Sequence, residues 1–337
     1  MPITVLVVTC ADDVHADALI AQAEQTRPDW TIIRLHPIDA STNWTFRIEF
    51  NASGNAHTNL QVLDSGRQVQ YADIIWWRKP DNPNYHPSLT NASAQECSRQ
   101  EYRELMHSLR GCFPTAIWVN DYWRMAQYSG KLNQIEIARA NDFLIPETII
   151  TSRAQDLRAF AQRFPQVVAK PLYYSGFLHA DQQYACWTNI LSTDDLNHMT
   201  DLDLSMAPMM VQRRLRKALE LRVTVIGEEV FPCAISTSHE TIEGIDWRIR
   251  DVEQLPHRLV SVPDRVTVGL KSILRQMGLN FGAFDLILDE DGEYYFLEIN
   301  PNGQFYWIEL LTGAPLIEAM LRLMATLAER HEAQSLA

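Results

Sequence analysis

The most constraining stretch of the chain is FGAFDLILDEDGEYYFLEINPNGQ, residues 281–304. Two β-prone runs flank Asp289-Glu290-Asp291-Gly292, and an acidic turn ending in Gly between such runs predicts a hairpin. Folding it brings Asp285 alongside the end of the second strand, where Glu298 and Asn300, two residues apart, project to one face. Two carboxylates and an amide oxygen can then converge. Hard-oxygen donors of this kind suit Mg²⁺, which keeps several waters and binds through one or two carboxylates together with substrate phosphates. The plainer alternative is that the acids decorate an open hairpin edge.

Candidate cations lie upstream. Lys170 closes the apolar run VVAK, placing a point charge at a strand exit where a nucleotide phosphate can receive it. Lys131 opens a helix after Ser129-Gly130. Each lysine taken alone also fits a solvated surface charge. Neither GxxxxGK[ST] nor GxGxxG occurs, which removes the main support for a P-loop or dinucleotide fold. Phosphate bound here would therefore be neutralised mostly by lysines and metal.

Between these features runs MMVQRRLRKALELRVTVIG, residues 209–227. A strand ending in Gln212 and passing through Arg213-Arg214-Leu215 offers a backbone edge for an adenine ring. Glu220, shortly before the next strand, can accept a hydrogen bond from a ribose hydroxyl. Arg222 on that strand and Arg248 in DWR can clamp phosphate or carboxylate oxygens bidentately. The RRLRK run also reads as a solvated basic face. With 29 Lys plus Arg against 42 Asp plus Glu, a net charge of −13, it is the densest cationic patch, which favours a role with an anion. The same balance argues against a general nucleic-acid binder or a polybasic membrane anchor.

A length of 337 residues predicts two or three domains. ITVLVVT at 3–9, a helical stretch at 14–25 and TIIRLHP at 31–37 suggest an α/β unit. Residues 44–71 predict antiparallel hairpins, ADIIWWRKP at 72–80 another strand, and 94–109 a helix. Trp76 and Trp77 point to opposite faces of their strand, so at least one belongs to the core, and Arg78 at the strand end can touch an acidic peptide but reads first as a surface salt-bridge residue. Further elements are a helix from Lys131 to about 141, ETIITS, a helix at 154–163, QVVAKPL at 166–172 and a last helix at 315–329. Five scattered cysteines without a CxxC pair, no signal peptide and no apolar run near the roughly 18 residues of a membrane span predict a soluble protein of the reducing cytoplasm.

Taken together, ADIIWWRKP, SGKLNQIEIARANDFLIPETIITS, VVAKP, ELRVTVIGEEVF, DWR and the final block through GAPL resemble the ATP-grasp superfamily. The closer resemblance is to the ribosomal-peptide maturases that make microviridin-type graspetides. It implies an α+β architecture in which two α+β subdomains grip ATP, preceded by an α/β pre-ATP-grasp domain. The units are then 1–125, 126–208 and 209–330, with a tail at 331–337. It further implies Lys131 and Lys170 as phosphate lysines, Gln212, Arg213 and Leu215 as the adenine hinge, and Glu220 as the ribose contact. Asp285, Glu298 and Asn300 become Mg²⁺ ligands, and Arg222 and Arg248 hold the transferred phosphoryl group. One departure is the segment PLYYSGFLHA after the second lysine, where a glycine-rich phosphate loop is common but only Gly176 occurs.

The activity implied is ATP-dependent activation of Asp or Glu side chains of a precursor peptide, made of leader and core, with ester or amide crosslinks as products. A homodimer is implied as well. Residues 228–250 are the candidate leader-binding region, and His179 is the one histidine placed to merit a test. Two other readings remain open: a ligase that adds a free amino acid to a peptide or small acid, and a nucleotide-binding regulator without turnover.

Overall fold

Val5 to Val8 form a run of four fully buried residues in β1 (Thr4–Thr9), as a parallel strand covered on both faces requires. Alternate residues enter different cores, Leu6 and Val8 one and Val5 and Val7 the other. The computed structural model describes residues 2–335 except 53–55, 173–175, 180–181, 186–187 and 237–254. For 56, 176–179, 182–185 and 334–335 it describes the backbone alone.

The helix Val14–Thr26 leads from β1 to β2 (Thr31–Leu35). β3 (Trp44–Phe50), β4 (Ala56–Val62) and β5 (Arg67–Val69) form the expected antiparallel sheet. β6 (Ile74–Lys79) and β7 (Ile117–Val119) complete a parallel sheet of order β2-β1-β6-β7. The chain passes from β2 across β1 to β6, so the carboxyl ends of β1 and β6 flank a topological switch point, the usual ligand crevice of an open α/β sheet. Trp76 and Trp77 do enter opposite cores, and both are buried.

The central sheet has order β12-β9-β13-β8, from β8 (Thr148–Thr151), β9 (Val167–Lys170), β12 (Asn189–Leu191) and β13 (Met209–Arg213). Between β9 and β12, β10 (Gly176–His179) and β11 (Gln182–Ala185) pair as an antiparallel hairpin, where sequence reasoning looked for a phosphate-covering loop. Val167, Ala169, Val211 and Ile149 pack on one side against Leu157, Phe160, Leu196 and Leu204. Leu196 and Leu204 belong to two short helices absent from the sequence reading, Thr193–His198 and Asp201–Ser205. Their signal is a capping box at each start, Ser192 with Asp195 and Thr200 with Asp203.

The third large sheet is antiparallel, of order β16-β15-β14-β17-β18. Its strands are β14 (Lys217–Ile226), β15 (Glu229–Ile235), β16 (His257–Leu259), β17 (Phe281–Asp289) and β18 (Tyr294–Asn300). One face, carrying Leu221, Val223, Phe284, Leu286, Phe296 and Ile299, shares a core with the helix Asp264–Met277. The last helix, Leu316–Ser335, runs past its expected end because neither Gly nor Pro follows Pro315 to stop it.

Candidate active site

The hairpin forms as its sequence predicts, and its turn shows how. Asp289 Oδ1 accepts the backbone N–H groups of Asp291 (3.0 Å) and Glu293 (2.9 Å), and Gly292 supplies the positive φ of 85°. Phe296 and Ile299 are both buried although three residues apart, a spacing that sends regular strand residues to opposite faces. A register shift between Asp285 and Leu286 resolves this, because one extra residue in β18 lets both side chains turn inward. Glu298 and Asn300 are thereby left on the face away from the helix.

Register then places three charged residues in a row across three strands. Arg222 of β14 lies opposite Asp285 of β17, and Asp285 lies opposite Glu298 of β18. Arg222 Nη1 donates to Asp285 Oδ1 at 2.9 Å, with the two side chains only 6% and 8% exposed. Lys131, at the start of the helix Lys131–Arg139, reaches Glu298 Oε2 at 2.7 Å. The lysine and the carboxylate that the sequence singled out as a phosphate and a metal candidate are thus brought together as an ion pair. Asn300 opposes Ala283 beside the row and is exposed.

The donor chemistry fits Mg²⁺. Asp285, Glu298 and Asn300 offer oxygens from one face of one hairpin, and phosphate and water oxygens would complete the shell. Among the described residues no group of three His, Cys, Asp or Glu side chains could by itself hold a metal ion.

The nucleotide candidates lie on the central sheet and the crossover to β14. Lys170 pairs with Met210, and Gln212 pairs with Val168 and Thr148, so Lys170 and Gln212 share the face away from the packed helices. Gln212 is buried and donates from Nε2 to Thr148 Oγ1 at 3.0 Å, whereas Lys170 is half-buried. Arg213 contacts Glu147 at 2.6 Å and the Tyr295 hydroxyl at 3.3 Å, tying the crossover to β18. Leu215 is half-buried in the three-residue link before β14. Glu220 lies within β14, not ahead of it, and is held by Lys217 Nζ at 2.5 Å. The RRLRK run is no single basic patch, since Arg213, Arg214 and Lys217 are each taken up by Glu147, Gln166 and Glu220. Arg248 lies outside the described residues, as does the stretch 237–250 of the suggested leader-binding region, and nothing is described of the His179 side chain.

Sequence reasoning missed the residues that hold this hairpin from outside. Asn300-Pro301-Asn302-Gly303 is a β-turn closed by Gly303 N–H on the Asn300 carbonyl at 3.2 Å, with Pro and Gly at their favoured positions. Gln134 Nε2 donates to the Ile299 carbonyl (3.0 Å) and its Oε1 accepts the Ile299 N–H (3.1 Å). Asn120 Nδ2 donates to the carbonyls of Phe281 (2.7 Å) and Pro301 (2.6 Å). At the switch point, His15 Nε2 accepts the Phe305 N–H at 2.9 Å.

Arg78 corrects the sequence reading: it is no surface salt bridge but 2% exposed, with Asp13 Oδ2 3.7 Å from Nε and Asn302 against its guanidinium. Burial pushes the Asp13 carboxyl upward, but hydrogen bonds from His15 and Thr9 and the Arg78 charge win, holding it well below the usual carboxylate range. Burial depresses the His15 pKa against the pull of Asp13, and Arg78 adds to the depression. A neutral His15 also leaves Nε2 able to accept from Phe305. Gly303 was the one legible signal, through its Asn-Gly dipeptide. A Cβ there would lie 2.5 Å from Ala283 Cβ and 2.6 Å from Arg222 Nη2, so only glycine lets the turn approach the row.

With a parallel sheet first, a four-stranded central sheet next and the carboxylate hairpin at one edge of the five-stranded sheet, the chain has the ATP-grasp fold. It is similar over 96% of its length to a ribosomal-peptide-associated ATP-grasp ligase from Chryseobacterium gregarium, solved with ADP and a leader and core peptide. The TM-score is 0.86, the identity 22%, and 96% of that chain is covered. It is likewise similar to the macrocyclase MdnC from Microcystis aeruginosa, bound with the precursor peptide MdnA, at TM-score 0.79 and 23% identity over 96% of this chain and 99% of that one. D-alanyl-alanine synthetase A from Vibrio cholerae aligns at TM-score 0.59 and 10% identity over 97% of this chain and 98% of that one. No protein-family model and no curated protein matches the chain.

Proposed function

We propose that this chain is an ADP-forming ligase that uses ATP and Mg²⁺ to activate Asp or Glu side chains of a ribosomal precursor peptide. The activated carboxyl is then joined to a hydroxyl or amine of the same peptide, forming a macrocyclic ester or amide. The observation that carries the proposal is the row Arg222–Asp285–Glu298 with Lys131 on its end, set on a fold like that of two peptide-bound ligases.

A substrate carboxylate oxygen attacks the γ-phosphorus of ATP, the bond to the bridging oxygen breaks and ADP leaves. A peptide hydroxyl or amine then attacks the acyl carbon, loses its proton, and phosphate departs. Asp285, Glu298 and Asn300 would hold Mg²⁺, which when bound neutralises charge on the phosphate oxygens. Lys131 and Lys170 orient the nucleotide phosphates, Gln212, Arg213 and Leu215 border the adenine, and Glu220 accepts from the ribose. Arg222, and Arg248 with it, steadies the transferred phosphoryl group. Division into units at 1–125, 126–208 and 209–330, action as a homodimer, and a cytoplasmic setting belong to the same proposal. The described cysteines are free thiols, and no helix among the described residues is long and apolar enough to cross a membrane.

The test is incubation with Mg·ATP and candidate precursor peptides carrying a leader and an acidic, hydroxyl-rich core. The expected result is the loss of one water mass per bond formed, with stoichiometric ADP. A gain of one amino-acid residue in the presence of free amino acids would instead favour the second reading, for which the likeness to D-alanyl-alanine synthetase A speaks. Nucleotide binding without any peptide-dependent phosphate release would leave the regulator reading.

A further inference from the structure

Arg78 is a buried cation held mostly by neutral groups, and a charge withdrawn from water in this way is costly unless its surroundings compensate. Its Nε and Nη2 have no hydrogen-bond partner among the described residues, and Asp13 stands 3.7 Å away. The guanidinium lies over the Phe305 ring, 5.9 Å from its centroid, and among the described residues its hydrogen bonds go to one residue. Nη1 donates to the Asn302 carbonyl at 2.8 Å and to Asn302 Oδ1 at 3.1 Å, and Asn302 Nδ2 donates back to the Arg78 carbonyl. The backbone N–H of Asn302, in turn, donates to Asn300 Oδ1 at 3.0 Å.

We propose that Arg78 is a positioning residue that orients Asn300 for the metal, acting through Asn302. Three hydrogen bonds fix Asn302 in place and direction, and Asn302 fixes the amide oxygen expected to face the cation. The Asn300–Gly303 turn is thus held against β6 beside the switch point. The α/β unit serves here as the outer support of a metal site located more than 200 residues further along the chain. Outer hydrogen-bond partners of this kind typically change metal affinity by about 10- to 100-fold when removed. The proposal rests on the metal assignment made above.

The test compares the full-length wild type with Asn302→Ala, Arg78→Met and the double variant. Mn²⁺ affinity is titrated in the presence of ADP, and ADP affinity is measured without metal. We expect Mn²⁺ binding to weaken about 10- to 100-fold in each single variant. Metal-free ADP affinity should stay within about twofold, and the double variant should lie within about twofold of the weaker single one, because both substitutions cut one chain of contacts. Mn²⁺ affinity unchanged in Asn302→Ala, additive losses, or an equal fall in metal-free ADP affinity would overturn the proposal. Should Arg78→Met fail to fold, Asn302→Ala at its half-buried position decides alone. A wild type that binds no Mn²⁺ with ADP would overturn the functional reading as well, whereas normal wild-type binding with unaffected variants would overturn only the role of Arg78.

Discussion

The two sheets that carry the candidate nucleotide and metal residues are anchored differently. The C-terminal sheet shares its cores with the N-terminal region: one core runs from Leu6 to Ile299, and the other joins Val5 to Phe281 and Phe305. Among the described residues, the core of the central sheet is drawn only from 149–211. The acid row therefore stands on a platform continuous with the first α/β unit, while Lys170 and Gln212 stand on a sheet with a hydrophobic cluster of its own. A preorganised charge row suits the step in which charge develops, and a separately packed lobe suits closing over and releasing a nucleotide.

The strongest way to break this contrast is Arg222→Met, which removes the guanidinium hydrogen-bonded to the buried Asp285. We expect a loss of about 3–5 kcal/mol in global stability by denaturant titration; a loss under 1 kcal/mol would show that the row is solvated, not preorganised. Leu157→Ala, in the central core, should cost about 2–5 kcal/mol. Its effect should appear as faster amide exchange over 148–213, with exchange in β17 and β18 unchanged. Equal acceleration in both sheets would mean that the lobe does not fold on its own terms.

Gly303→Ala sharpens the comparison, since its methyl would press on Ala283 and the Arg222 guanidinium. A cost of about 1–3 kcal/mol is expected, with Mg·ATP affinity lowered and metal-free melting of the central lobe untouched. The smallest effect concerns pH. The folded pKa of His15 is depressed below its ordinary 6.5, so between the two values the unfolded chain binds a proton that the native one does not. Stability should therefore fall as pH drops through about 6.5. Asp13, whose folded pKa is also depressed, adds a further loss only at much lower pH. Melting temperatures of wild type and His15→Gln between pH 8 and 5 check this, the variant showing the flatter slope.

Much of the site was legible because strand geometry is local. One turn returns β18 alongside Asp285, a period of two puts Glu298 and Asn300 on a common face, and Lys170 ends an apolar strand, but that this face is also Asp285's depends on the register shift. The ATP-grasp architecture came from resemblance across motifs, not from periodicity. What stayed hidden depends on contacts between residues far apart in sequence. Nothing near Arg78 announces Asn302, 224 positions away, and nothing near Gln134 announces Ile299. The β-bulge that keeps Phe296 and Ile299 on one side was equally invisible, since a register shift belongs to the pairing and not to either strand.

In the proposed reaction a substrate carboxylate takes the γ-phosphoryl group of ATP. Turnover with a precursor peptide whose Asp and Glu side chains carry heavy oxygen tests it most directly, with the released phosphate read by mass. One heavy oxygen in phosphate per bond formed is expected, with ADP as the other product. Unlabelled phosphate, or AMP and pyrophosphate in place of ADP and phosphate, would contradict it.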